Sequence, residues 1–283
     1  MSEASFPFVD LGLARRLERT EAKGNASFVD ARARLFPDSA ASWIEVAGAY
    51  AMFDGSASPL TQSFGLGLFE PIASTHMAAI EEFFRQREAP VYHEVSPLAD
   101  GALLTLLNER GYQPLEFTSV MFRPLGGSER SPASQNERIK ARLAKTGEQE
   151  LWGQTVARGW EATAELNDFL RSIGEITMRA EGYYSFFVEA DGEPIATGGL
   201  IIWDGVALLA GASTVPEGRK QGAQLALLER RLDFAIDQGC DLAMMCAQPG
   251  SSSQRNAERR GFRIAYSRAK WQLGSKPPDV SGS

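Results

Sequence analysis

Val215-Pro216-Glu217-Gly218-Arg219-Lys220-Gln221-Gly222-Ala223-Gln224 is the stretch on which the reading of this chain turns. Before it runs Val206 to Thr214 (VALLAGAST), small and β-branched residues that read as a strand. After it, Leu225, Leu228, Leu232 and Ala235 recur at helical spacing up to Gly239. A strand passing through a basic, glycine-containing turn into a helix N-terminus builds an anion site. Unpaired backbone N–H groups and the positive end of the helix dipole face the ligand there, and Arg219 and Lys220 add charge. Gly222 permits close backbone approach. No Gly-Lys-Ser/Thr follows, so this is not a Walker loop, and it is not a Gly-x-Gly-x-x-Gly turn either. As a bare pattern, an ordinary strand–helix turn explains it equally well.

Working outward, Tyr183 to Glu189, Pro194 to Trp203 and Val206 to Thr214 are joined by Asp191-Gly192 and Asp204-Gly205, pairs suited to tight hairpins. They predict a three-strand antiparallel meander. Leu166, Phe169, Leu170 and Ile173 predict a helix ahead of it. Beyond Gly239, Leu242 to Ala247 reads as a short buried strand. Ser251 with Gln254 reads as a capping box opening a helix that stops at Gly261, and Ile264 to Leu273 as a last strand. The fold class is therefore α/β (α+β), a mixed, mostly antiparallel sheet flanked by helices.

The first half repeats these landmarks. Asp54-Gly55 precedes Asp204-Gly205 by 150 positions, and Gly111-Tyr112 precedes Gly261-Phe262 by the same interval. Pro71 and Pro216 each close a small-residue strand. Two copies of one domain are expected, spanning 1–124 and 137–273. A Gly/Ser/Pro-rich linker, 125–136, would join them, and 274–283 would be a disordered tail. In the first copy the matching segment reads Ile72-Ala73-Ser74-Thr75-His76-Met77, with no glycine and no Arg or Lys, so no phosphate loop is expected.

Composition narrows the classes. The 283 residues carry 29 basic and 36 acidic side chains, a net charge of −7, which argues against a general nucleic-acid binder. Yet Arg219 to Lys270 holds ten basic residues against five acidic ones. Such a segment either faces an anion or is a solvated helix face. The start Met1-Ser2-Glu3-Ala4-Ser5-Phe6 lacks the form of a signal peptide, and no apolar run suits a membrane span, so a cytoplasmic protein is expected. Cys240, Cys246, His76 and His93 make neither a disulfide framework nor a metal cluster. The cysteines read as small buried hydrophobes, and His93 as a satisfied core residue. His76 reads as a surface residue at a helix start, and Arg230-Arg231 as a solvated helix face.

Strand order and loop together resemble the GNAT superfamily of acyl-CoA-dependent N-acyltransferases. Its pyrophosphate loop, Gln/Arg-x-x-Gly-x-Gly/Ala, is matched by Arg219-x-x-Gly222-x-Gln224, with Gln224 larger than the usual residue. Pro249 to Phe262, a helix ending in Gly-Phe, is similar to the family's second cofactor element. The resemblance covers Arg138 to Leu273, and such tandem pairs, one working domain with one eroded domain, occur in the superfamily. It implies acetyl-CoA as co-substrate in a wedge between the strands ending at Thr214 and starting at Leu242. Thr214, Val215, Arg219, Lys220, Gln221, Gly222, Ala223, Gln224 and Asn256 would hold it. An amine, on a small molecule or a peptide, would be the acceptor. The glutamate that many relatives carry on the strand before the loop is missing, and their tyrosine corresponds to Ala257. Ser213, Asn256 or ordered water could relay protons, and Glu175 or Trp160 could face the acceptor. The alternative is a non-catalytic acyl-CoA-binding or regulatory protein.

Overall fold

Asp191-Gly192 and Asp204-Gly205 take positive φ at both residues (52° and 90°; 47° and 73°), the backbone that two-residue hairpins of matching twist require. The computed structural model, which describes residues 6–125, 138–161 and 164–274, builds its C-terminal sheet around these turns. The expected linker lies almost wholly outside the described residues, and so does the expected tail beyond Gly274.

In chain order the elements are α1 (Leu11–Leu35), β1 (Ser42–Val46), β2 (Ala49–Phe53), β3 (Gln62–Phe64), α2 (Ser74–Arg85), β4 (Tyr92–Val95), α3 (Gly101–Glu109) and β5 (Tyr112–Pro124). There follow β6 (Ile139–Leu143), α4 (Gln149–Gly159), α5 (Ala164–Thr177), β7 (Tyr183–Ala190), β8 (Glu193–Trp203) and β9 (Val206–Thr214). The last are α6 (Ala223–Asp237), β10 (Leu242–Ala247), α7 (Ser252–Glu258) and β11 (Arg263–Leu273). The meander, the helix after it and the two final strands lie where the residue patterns put them. Strand β6 and helix α4 had no clear pattern of their own.

Among the described residues, eleven strands form one sheet, ordered β1-β2-β3-β4-β11-β5-β10-β9-β8-β7-β6. Only β3–β4 and β9–β10 are parallel; every other pair is antiparallel. The two centre strands are exchanged. β5, from the first half, pairs with β10 of the second, whereas β11, from the end of the chain, pairs with β4 of the first. β5 and β11 then pair with each other from Tyr112–Leu273 to Phe122–Arg263.

Side chains alternate between the two faces, as strand geometry dictates. On β9, Ala207 and Leu209 join the core under α6, while Val206 and Leu208 join the one under α1. On β2, Ala49 and Ala51 meet Met77 and Ile80 of α2, while Tyr50 and Met52 meet Ala22, Ala26 and Val29 of α1. Helix α1, capped by Asp10 (Oδ1 accepts from Leu13 N, 2.8 Å), packs across both halves. It also delivers charge to the interior. Glu18 and Glu21 meet Arg268 of β11 at 3.3 and 2.7 Å, and Arg268 also lies 2.9 Å from Glu94 of β4.

Candidate functional site

β9 and β10 run parallel through Leu242–Val206, Ala243–Ala207 and Met244–Leu208, and their pairing stops there. β10 continues to Ala247 along β5, while β9 turns with β8. A β-bulge helps them part, because Gly211 and Ala212 together stand opposite Gly198, with Gly211 at φ 59°. The strands open into a wedge of about 790 Å³, closed by α6 and α7. Leu209 to Ala212 line one wall, Met245 and Cys246 the other, and Ser252, Ser253 and Asn256 the α7 side. Among the described residues, three arginines (Arg231, Arg259 and Arg260) and no carboxylate border it.

At the mouth lies the loop after β9. Val215 is buried, and Pro216–Gly218 form one tight turn. Gly218 is pressed on Ile195, where a Cβ would come within 2.7 Å of the isoleucine Cβ. Gly222 ends the loop as N-cap of α6, in the left-handed region (φ 88°), and a Cβ there would meet nothing within 4 Å. No side chain caps this helix. Its N-terminus thus presents backbone donors to open space, the arrangement an anion needs.

The two loop cations differ. Arg219 pairs with Glu161 at 2.6 Å and reaches the Gly159 carbonyl at 3.4 Å, tying the loop to the end of α4. Arg158 and Glu217 make a second tie between the same segments. Lys220, exposed and at φ 62°, makes no ion pair among the described residues. Gln221 donates to the Glu217 carbonyl at 2.7 Å. Gln224 turns back on β9, donating to Thr214 Oγ1 (2.7 Å) and to the Ser213 carbonyl (3.3 Å), so its extra bulk lies along the wedge wall.

The expected proton-handling residues separate. Asn256 and Ala257 line the wedge. Ser213 is buried and does not line it: its hydroxyl shares a 2.9 Å hydrogen bond with Thr197, and a Cβ on Gly159 would lie 2.7 Å from it. Glu175 is not at the wedge either; it pairs with Arg179, in the turn just past the end of α5. Trp160, half exposed, follows α4 beside Glu161. The Arg230-Arg231 reading needs correction, because Arg231 is 4% exposed and lines the wedge. Gly198 of β8 leaves the room, since a Cβ there would meet Arg231 Nη1 at 3.1 Å, and Gly199 offers its carbonyl. The signal was present in the spacing, since 231 follows Leu227 and Leu228 by one turn on the buried face.

The corresponding place in the first half is shut. Ser63 and His93 pair directly across β3 and β4, and Ser63 Oγ shares a 2.6 Å hydrogen bond with His93 Nδ1. His93 Nε2 reaches Tyr112 Oη at 2.9 Å, and burial pushes the imidazole pKa down to about 3. At the N-terminus of α2, His76 folds back so that its Nδ1 accepts from the Ala73 N–H at 3.2 Å.

Residues 129–248 match the family model described as an acetyltransferase (GNAT) domain. Over those residues the chain thus carries a GNAT acetyltransferase domain, on a mixed α/β fold that it shares with GNAT proteins. It is similar to a GCN5-related N-acetyltransferase from Kribbella flavida, with a TM-score of 0.63 and 18% identity over 89% of this chain and 96% of that one. A tandem GNAT protein from the clavulanic acid biosynthesis pathway superposes with a TM-score of 0.60 and 12% identity, over 94% and 96%. A GCN5-related N-acetyltransferase from Sphaerobacter thermophilus gives 0.56 and 18%, over 83% and 79%. No curated protein sequence matches the chain. No helix among the described residues is long and apolar enough to cross a membrane, and no cluster of metal-binding side chains occurs among them.

Proposed function

We propose that the chain is an N-acyltransferase that moves an acyl group, acetyl in the simplest case, from a CoA thioester to an amine. The observation that carries this is the wedge beyond Leu208–Met244, open at the mouth to the bare N-terminus of α6. The residues present fit the co-substrate. Gly222 and the first N–H groups of α6, with Lys220 beside them, suit a pyrophosphate. The wall from Leu209 to Ala212, leading from the Thr214–Val215 end of β9, suits an extended pantetheine arm, and Asn256 lies across the wedge. When bound, CoA supplies an activated thioester, and the protein needs to supply little covalent help. It holds the ester against the amine and excludes water, which is worth several kcal/mol of barrier. The bulged backbone at Gly211–Ala212 offers groups outside the sheet register that can face a developing oxyanion. With no carboxylate lining the wedge, the acceptor amine enters the reaction already neutral.

We read the chain as two GNAT-like units, 1–124 and 137–273, of which the second holds the co-substrate. The first, closed by Ser63 and His93, supports the second through α1 and β5. The test is a titration with CoA followed by thiol release from acetyl-CoA over a panel of small amines and peptides. Binding without thiol release from any amine would favour a non-catalytic binding protein. Absence of binding would sink the proposal.

A further inference from the structure

Arg231 is a cation buried in the wall of the wedge without a counter-ion. It is 4% exposed, and no carboxylate lies within ion-pair distance among the described residues. Its hydrogen bonds go to backbone only: Nη1 donates to the carbonyls of Gly199 (2.9 Å) and Ala210 (3.3 Å), and Nε to that of Leu227 (3.4 Å). These carbonyls satisfy part of the guanidinium fork and leave its charge uncompensated. Burial accordingly pulls its pKa down. Holding a bare cation inside a protein costs several kcal/mol, and replacing it by an apolar side chain would be the cheaper way to fill the space.

Its position says what could supply the missing charge. Arg231 lies nine residues into α6 from Gly222, about 13 Å along the helix axis at the α-helical rise. It therefore sits at the inner end of the wedge, against Ala210, just past the last β9–β10 pair. The phosphates of CoA belong at the other end, by Gly222. The pantetheine arm between them is neutral, so the acyl group is the part of the co-substrate that can bring an anion to this depth.

We propose that the wedge selects acyl-CoA donors whose acyl chain ends in a carboxylate, such as malonyl- or succinyl-CoA, with Arg231 as the residue that reads it. The inference rests on the wedge being the CoA site. Neighbouring groups agree with it, since Arg259 and Arg260 are the other charged residues lining the cavity. The guanidinium, pinned by two carbonyls, is preorganised to offer its remaining N–H groups to a carboxylate. The transfer itself is unchanged. The amine nitrogen forms the new C–N bond, the C–S bond breaks with its electron pair going to sulfur, and the amine proton ends on the CoA thiol.

Calorimetric titration of the full chain with CoA, acetyl-CoA, malonyl-CoA and succinyl-CoA tests this directly. At least one of the acidic donors should bind ten times or more tighter than acetyl-CoA. Arg231→Met should bring that ratio close to one, and Arg231→Lys should keep part of it. Equal affinities for all the thioesters in the unaltered protein would overturn the proposal even if Arg231→Met fails to fold. So would an Arg231→Met protein that weakens every thioester equally, which would make the arginine a support for the β9 bulge alone. Absence of any CoA binding is a different result, and defeats the functional reading beneath it.

Discussion

Glu18 and Arg268 stand 250 residues apart in the chain and 3.3 Å apart in space, both buried. Their contact follows from strand exchange, which carries β11 back into the first half beneath α1. Around Arg268 gather Glu18, Glu21 and Glu94, while Tyr266 donates to Glu18 at 3.0 Å. More carboxylate than guanidinium is buried here, so one carboxyl holds its proton most readily.

That carboxyl is Glu18. Burial, opposed by Arg268 and reinforced by Glu21, raises its pKa to about 7. The unfolded value is about 4.3. The native state therefore keeps a proton that the unfolded chain has lost. The stabilisation is fully present below pH 4.3 and is lost as pH rises through 7. Thermal unfolding followed from pH 5 to 8.5 should show a falling Tm from this group. Glu18→Gln should flatten that slope and stabilise the protein at pH 8, by an amount on the order of 1–2 kcal/mol. An unchanged slope would place the titration elsewhere.

The same exchange predicts that neither half folds alone. In an isolated 1–124 fragment β4 lacks β11, and β5 lacks both of its neighbours, β10 and β11. Val120, Met121 and Phe122, all buried, would be exposed on an unpaired strand. The fragment should be aggregated or unfolded by circular dichroism and gel filtration. Co-expression with 125–283 should recover a soluble pair. A monomeric, cooperatively folding 1–124 would contradict the pairing.

Much of this was legible in the residues, for identifiable reasons. Asp191-Gly192 and Asp204-Gly205 mark hairpins because few other pairs tolerate two positive φ values, and Gly218 and Gly222 mark the loop because space or backbone demands them. Local chemistry of that kind survives in a one-dimensional string. Partner choice does not. The apolar run at β5 says only that the strand is covered on both faces, and nothing in it specifies β10 over β4. Arg231 was misread through its charge, although its helical phase puts it with Leu228 and Ala235. Its burial depends on Gly198 and Gly199, more than thirty positions earlier. The place of Ser213 was hidden for a related reason, since its hydroxyl meets Thr197 across the hairpin and does not line the wedge.

Gly222→Asp should weaken CoA binding at least tenfold, on the order of 1.4 kcal/mol. The side chain has room, so the loss would come from a carboxylate at the anion site and from an aspartate forced to φ 88°. Gly222→Ala carries the backbone cost without the charge and should sit between the two. Arg219→Ala should do less, and in a salt-dependent way, because Arg219 is already engaged with Glu161. Calorimetry at two ionic strengths checks all three. A folded Gly222→Asp protein with unaltered affinity would remove the loop assignment.

Turnover should follow the neutral fraction of the acceptor amine, rising with pH until that amine is deprotonated. Glu175→Gln should be close to wild type, since Glu175 pairs with Arg179 away from the wedge. The measurement is kcat/KM against pH for two amines of different basicity. Two curves with one common inflection would reveal a protein base; inflections that move with the amine are expected.

One CoA site per chain is the last expectation, and it follows from comparing two helix starts. At α6 the N-cap is a glycine with open space before it, and no side chain takes its first donors. At α2 the N-cap is Ala73, whose N–H is bonded back to His76, and Glu70 of the preceding turn would repel a phosphate. A helix N-terminus alone attracts an anion by about 1 kcal/mol, too little to hold a cofactor without a wedge for its arm. β3 and β4 offer no such wedge. They stay paired at Phe64–Glu94, and the Ser63–His93–Tyr112 chain of hydrogen bonds fills the space beneath. Opening it would strand buried polar groups at a cost of roughly 1–3 kcal/mol each. Titration should therefore give a stoichiometry of one, unchanged in His76→Ala. Two sites of similar affinity, or a second site lost specifically with His76, would show that the first half also binds the co-substrate.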